Sequence, residues 1–256
     1  PVVTYLVYLG RWPFSALMGL AASICALEYY EITMGRWSPA AWVGVVVTAL
    51  FPFTPLLPSG GFVAFATLVG FGMFAWTYHL LRGQLKEGPA YVAYLCTGML
   101  YGAGGLTAMV GVRQYDQGGH WVMCAFFLTW LNDTFAYFVG RAFGKRKLYE
   151  AVSPKKSWEG FFGGAVGAAL GLLAYKYILF YDLRVADVLV LGVLGGVMGP
   201  VGDLCESMLK RAHGVKDSGK IVPGHGGILD RIDALIFNAP VVFLYLTYGR
   251  QFFTGS

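Results

Sequence analysis

The 256-residue chain is 57% hydrophobic and only 13% charged, with 19 Lys and Arg against 14 Asp and Glu and a net charge of +5. Soluble domains carry about 25% charged residues, so the composition excludes an ordinary water-soluble enzyme. Four cysteines, Cys25, Cys96, Cys124 and Cys205, sit in apolar runs without C-x-x-C spacing, which argues against a zinc site or disulfide framework and for small buried hydrophobes.

The apolar runs approach the ~20 residues that cross a bilayer. They predict an all-α, polytopic integral membrane bundle with spans near 12–34, 39–57, 60–81, 89–112, 119–140, 160–180, 184–206 and 231–250. Residues 1–9 read as the tail of an earlier span, and Pro1 in place of Met marks the beginning as missing. The full protein then has about nine transmembrane helices, the first truncated here. No cleavable signal peptide is visible, and the terminal Thr-Gly-Ser reads as an appended scar. The chain reads as one membrane domain, 1–256. Residues 1–113 are hydrophobic spans with little chemistry, and 119–256 form a catalytic half with cytoplasmic loops at 141–159 and 207–229.

In the first spans only Glu28 and Glu31 stand out, near a helix end, where a structural or interfacial role is expected. Trp37, Trp121 and Trp158, near span ends, fit interfacial anchoring. Gly192, Gly195, Gly196, Gly199 and Gly202 recur at three- and four-residue spacing in the seventh run. Such a small-residue face predicts close helix packing, with a lipid-access groove as the alternative. Lys and Arg set the orientation. With loops assigned alternately, 14 fall on the side of the two polar loops and five (Arg11, Arg113, Lys176, Arg184, Arg250) on the other, so the polar loops face the cytoplasm.

The chemistry concentrates in Ser207–Asp233, SMLKRAHGVKDSGKIVPGHGGILDRID. Charge of both signs at a membrane edge is costly and marks a functional candidate. Asp203, Glu206, Ser207, Lys210 and Arg211 follow i, i+3, i+4, i+7, i+8 spacing and share one helix face; Asp230 and Asp233 are i, i+3 on the next helix. If the loop doubles back, these carboxylates face one another and offer hard oxygen ligands for Mg²⁺. The competing reading is simple i, i+4 pairing of Glu206 with Lys210. Gly214–Ile221 nearly matches a P-loop but lacks the final hydroxyl and the preceding strand. It remains a glycine-rich phosphate-binding loop carrying Lys216 and Lys220. His225 lies among glycines and suits a phosphate or substrate contact, His213 less so. Lys155 and Lys156 form a basic pair in the first loop, suited to an anionic headgroup.

This segment resembles the signature of the phosphatidate cytidylyltransferase (CDP-diacylglycerol synthase) family, S-x-x-K-R, four residues, K-D, then P-x-H-G-G-x-x-D-R-x-D. It runs here as Ser207, Lys210, Arg211, Lys216, Asp217, Pro223, His225, Gly226, Gly227, Asp230, Arg231 and Asp233, every fixed position filled. The resemblance extends through Asn132-Asp133 and Ser153–Gly160; the N-terminal half matches only as a multi-span region. It implies transfer of the cytidylyl group of CTP to phosphatidate, giving CDP-diacylglycerol and pyrophosphate in membrane phospholipid synthesis. A phosphatidate oxygen would attack the CTP α-phosphorus in line, so positioning and charge neutralisation do the catalysis.

The implied catalytic residues are Lys210, Arg211, Asp217, Lys220 and Arg231. Ser207, Lys216, His225, Gly226, Gly227, Lys155, Lys156 and Ser157 would bind substrate. Asp203 and Asp230 would hold Mg²⁺, with Asp133, Glu206 and Asp233 as further candidates and a second cation left open. The partners are CTP, phosphatidate and the bilayer, with no nucleic acid and a homodimer through transmembrane helices as an option. The resemblance suggests a bacterial inner membrane, with the site facing the cytoplasm. Three rivals are weighed. A CTP-dependent lipid kinase would release CDP; a CDP-alcohol phosphotransferase would need a D-G-x-x-A-R string that is absent; a transporter would show internal repeats and helices interrupted at mid-span.

Overall fold

The computed structural model describes residues 2–35, 38–221 and 226–252. The chain is an all-α polytopic membrane protein. Its helices are α1 (Val2–Leu9), α2 (Arg11–Met34), α3 (Pro39–Leu50), α4 (Gly60–Leu81), α5 (Gly88–Arg113), α6 (Gly118–Phe143), α7 (Trp158–Ile178), α8 (Val185–Ala212) and α9 (Leu229–Leu244). A 3₁₀ turn (Phe51–Leu56) extends α3; a π turn (Tyr245–Gly249) and the short α10 (Arg250–Phe252) extend α9. Among the described residues, seven helical stretches are long and apolar enough to cross a membrane: 39–56, 60–81, 88–113, 118–143, 158–178, 185–212 and 229–252. The 24-residue α2 is long enough as well, but Arg11, Glu28 and Glu31 make it less apolar than the 12–34 span expected.

Local chemistry sets the boundaries. Ser38 caps α3 by accepting from the Ala41 N–H at 3.2 Å, with Pro39 in the first turn, where its missing N–H costs nothing. Gly35 closes α2 at φ +62, a left-handed conformation that favours glycine. The polar segment 141–159 is more ordered than a loop. It folds as an antiparallel hairpin of β1 (Lys147–Tyr149) and β2 (Ser153–Ser157), pairing Lys147 with Ser157 and Tyr149 with Ser153. Glu159 fastens the hairpin by accepting from the backbone N–H groups of Lys145 (3.1 Å) and Arg146 (3.3 Å).

The chain divides into two compact units. Pro1–Gln114 with His213–Arg231 form the first, and Tyr115–Ala212 with Ile232–Ser256 the second. The polar segment 213–231 lies with the first unit. In the first unit α2 packs most extensively on α5, and Tyr30 donates to the Leu95 carbonyl at 2.9 Å.

In the second unit α8 is the centre. Its glycine face is filled by neighbours: a Cβ at Gly192 would lie 2.7 Å from Ala169 of α7, one at Gly195 3.0 Å from Leu128 of α6, and one at Gly199 2.9 Å from Asn238 of α9. Close packing, the first of the two readings, is what the stripe does. Pro200 interrupts the helix and removes the N–H that would reach the Gly196 carbonyl; the Asn132 amide donates to that carbonyl instead, at 3.2 Å.

The N-terminal end of α8 carries a buried ion network. Asp187, fully buried, accepts from Arg184 at 2.8 Å and from the Tyr245 hydroxyl at 2.5 Å, with Arg250 3.7 Å away. The hydrogen bond to Asp187 raises the Arg184 pKa. Trp121 is not an interfacial anchor. It is 1% exposed, under the Arg250 guanidinium at 4.8 Å, because that half-buried cation takes the ring face. Trp158 is exposed and stacked on Phe162; Trp37 lies outside the described residues. None of the four cysteines forms a disulfide, and Cys25 and Cys124 are buried.

Candidate active site

Two clusters of sequence-predicted residues form, one in each unit. In the second unit a cavity of about 430 Å³ opens between α6, the hairpin and α8, with Asp133, Arg141, Lys155, Lys156, Ser157 and Asp203 in its wall. Lys156 pairs with Asp203 (Nζ to Oδ2, 2.6 Å), and Ser207 donates to Asp203 Oδ1 at 3.3 Å. Asp133, Asp203 and Asp233 lie within electrostatic reach of one another and of Lys156.

One turn along α8, Lys210 Nζ meets Glu206 Oε2 at 2.5 Å. This is the i, i+4 pair of the competing reading, but it is buried rather than a surface pair. Glu206 and Lys210 are 1% and 8% exposed, and the lysine brings Glu206 the charge that burial demands. Ser157 turns inward as the cap of α7, accepting from the Gly160 N–H at 3.2 Å, so its hydroxyl is engaged in structure as well as lining the cavity. Arg211 is exposed at the end of α8.

In the first unit the signature loop is tied down by two carboxylates. Asp230 Oδ2 accepts from the Ser218 N–H (2.8 Å), the Ser218 hydroxyl (3.0 Å) and the Gly227 N–H (2.9 Å). Glu28, from α2, accepts from the Ser218 hydroxyl (2.9 Å) and the N–H groups of Ile228 (2.9 Å) and Leu229 (2.8 Å). It is 2% exposed and caps α9 from another helix, placing a carboxylate where the helix N-terminus favours one. The glycines make room: a Cβ at Gly219 would lie 2.6 Å from Glu28 Oε1, and one at Gly226 2.5 Å from Asp230 Oδ2. Gly226 also needs its left-handed φ of +81. Lys216, Asp217, Lys220 and Arg231 are exposed around this loop. His213 lies edge-on to Tyr94 at 6.1 Å, and His225 lies outside the described residues.

Asp230, expected as a metal ligand, thus spends one oxygen on three loop donors. Among the described residues no three His, Cys, Asp or Glu side chains converge closely enough to form a ready-made metal cage. The donor chemistry of the second-unit cavity nevertheless suits a hard cation. Asp133 and Asp203 share its wall with Asn132, whose buried Oδ1 has no hydrogen-bond partner, and Mg²⁺ needs only one or two protein carboxylates beside phosphates and waters.

Sequence reasoning missed Glu28 as the loop's anchor, and with it Thr129 and Asn238. The Asn238 amide donates to Thr129 Oγ1 at 3.1 Å in the core of the second unit. For Glu28 the signal existed, an acid inside an otherwise apolar run; nothing in local spacing named its partner some 190 residues away.

Known proteins resemble this chain in sequence. The sequence model of the Cytidylyltransferase family matches residues 1–249. A phosphatidate cytidylyltransferase of Staphylococcus haemolyticus (strain JCSC1435) is 42% identical over 142 residues, 56% of this chain and 55% of the relative. One from Staphylococcus aureus (strain COL) is 41% identical over the same shares, and one from Staphylococcus saprophyticus 42%. The chain spans about half the length of the curated relatives it matches. A match over nearly the whole chain, with the signature's carboxylates built into both units, leads to one conclusion: the chain belongs to the cytidylyltransferase family.

Proposed function

We propose that the protein transfers the cytidylyl group of CTP to phosphatidate, releasing pyrophosphate, in membrane phospholipid synthesis. The observation that carries the reading is the cavity in which Asp133 and Asp203 share a wall with Lys155, Lys156 and Arg141, in a chain of this family. A phosphatidate oxygen attacks the CTP α-phosphorus; the new P–O bond forms as the bond to the β-phosphate breaks, and the electron pair leaves on pyrophosphate. No covalent nucleophile is needed. The protein's task is to bring two anions together and hold them in line.

Lys155 and Arg141 meet the incoming phosphates, and Lys156 can exchange its contact with Asp203 for a phosphate oxygen. Glu206 holds Lys210 in position at the neighbouring turn. Lys216, Lys220 and Arg231 stand exposed on the signature loop of the first unit, cations of the kind that phosphate oxygens pair with. Asp203 and Asp133, with Asp233, would hold Mg²⁺, which when bound neutralises phosphate charge. The 14-to-5 asymmetry of Lys and Arg supports a reaction at the cytoplasmic face.

The test is an assay of purified protein with CTP and phosphatidate over a Mg²⁺ titration, following both nucleotide and lipid products. Pyrophosphate and CDP-diacylglycerol are expected, with Asp203→Asn inactive though folded. Release of CDP, or wild-type turnover by Asp203→Asn, would overturn the reading.

A further inference from the structure

The first unit holds another cavity, lined by none of the signature residues. It encloses about 340 Å³ where α3 begins and α4 ends, among Ser38, Tyr78, His79, Arg82, Gln84 and Tyr91. A smaller hollow of about 110 Å³, walled by Trp76, Leu80, Leu85 and Pro89, shares His79 and Gln84 with it. The larger pocket mixes polar and apolar groups, the smaller is apolar, and one buried ring, that of His79, lies in the wall common to both.

That ring is only 4% exposed. It stacks on Tyr91 (5.4 Å, 19°) and meets Tyr78 edge-on (5.1 Å, 87°), so its plane is fixed. His79 Nδ1 lies 2.5 Å from Gln84 Oε1. That oxygen only accepts, so Nδ1 carries the proton. Nε2 is left as an acceptor, buried and without a hydrogen-bond partner among the described residues, an arrangement that costs free energy until a donor arrives. Arg82 is exposed on the other side. Its guanidinium lies 5.5 Å above the Tyr78 ring and makes only long contacts, 3.3 and 3.4 Å, to the Tyr78 hydroxyl. Among the described residues no carboxylate pairs with it. The rim is apolar and open, with Leu80, Leu81 and Leu85 exposed by 71%, 82% and 83%. The turn joins two membrane-crossing helices, so it lies at headgroup depth.

We infer that this paired cavity binds an anionic glycerophospholipid with a hydroxylated headgroup. The phosphodiester sits on Arg82, as guanidinium geometry favours. A headgroup hydroxyl donates to His79 Nε2. The first carbons of an acyl chain enter the hollow beside Trp76. The bare leucines at the rim favour a lipid over a free soluble anion.

Native mass spectrometry of the full chain in detergent, titrated with defined lipids, tests this without reference to turnover. Phosphatidylglycerol is expected to bind at least about tenfold more tightly than phosphatidylmethanol, which has the same charge and no hydroxyl, and inorganic phosphate is expected not to displace it. Arg82→Gln, a change at an exposed side chain, is expected to weaken phosphatidylglycerol binding about tenfold, the loss of a charge-assisted contact. His79→Phe, which keeps the stacked ring, is expected to erase the difference between the two lipids. Equal binding by wild type and Arg82→Gln, equal affinity of wild type for both lipids, or displacement by inorganic phosphate would overturn the inference.

Discussion

Removing the Glu28 carboxylate tests whether the signature loop is held from the N-terminal helices. Glu28→Ala strips the acceptor from the Ile228 and Leu229 N–H groups, at 2.9 and 2.8 Å, while the Ser218 hydroxyl, 2.9 Å from Glu28, keeps Asp230 Oδ2 at 3.0 Å. Leaving a buried donor unsatisfied costs about 1–3 kcal/mol each. Two would sum to about 2–6 kcal/mol, and water entering the vacated space brings the expectation into the lower half, about 3 kcal/mol. Spent locally, that shifts the balance between docked and undocked loop about a hundredfold. Cytidylyl transfer is expected to fall by a similar factor, with protection from hydrogen exchange lost across 214–231 but retained in α6–α8. Glu28→Gln keeps one acceptor but turns an amide toward an N–H donor, and is expected to fall between. Wild-type turnover and unchanged exchange in Glu28→Ala would refute the idea that this carboxylate holds the loop.

Reversing Lys155 and Lys156 to Glu is expected to raise KM for phosphatidate more than that for CTP, since both line the cavity beside the bilayer-crossing helices; a change confined to CTP would move these lysines to the nucleotide. Gly192→Ala is expected to lower thermal stability by roughly 1–3 kcal/mol, because its Cβ would sit 2.7 Å from Ala169. Gly104→Ala, with nothing within 4 Å of the added methyl, is expected to be neutral or stabilising by about 0.5–1 kcal/mol; equal melting temperatures for the two would remove the packing account. Single cysteines at the exposed positions Lys220 and Tyr181, in a cysteine-free background, are expected to react with an impermeant reagent from opposite sides of the membrane. Labelling of position 220 from outside intact cells would reverse the topology.

Much of the architecture is legible in the sequence because a bilayer-crossing helix is a one-dimensional object: length and apolarity define it. The expected run 60–81 coincides with α4, and 119–140 falls within α6. The stretch 207–212 was harder. Polarity puts Ser207, Lys210 and Arg211 in the 207–229 loop while their spacing puts them on a helix face; α8 runs through them, with Glu206 and Lys210 paired along it. The hairpin at 147–157 escaped notice since it is short, exposed and fastened by Glu159 rather than by a hydrophobic pattern. In the candidate site, the helix-face spacing of Asp203, Glu206 and Lys210 could be read locally. The anchoring of Ser218 and Leu229 by Glu28 could not, because that contact depends on tertiary packing. Trp121 misled for a related reason: near a span end an indole suits an interface, unless a cation such as Arg250 arrives from a distant helix to cover it.

The Asp187 network bears on how the chain is made. Its first counterion, Arg184, is synthesised three residues before the carboxylate, so the pair can enter the insertion machinery already neutralised and α8 need not wait with a naked charge. Tyr245 and Arg250 emerge some sixty residues later, at the close of the last helix. Assembly of the second unit is therefore finished from the C-terminal end: a nascent chain halted before residue 245 would keep the Arg184 contact, lack the lock, and offer membrane quality control a recognisable unfinished product.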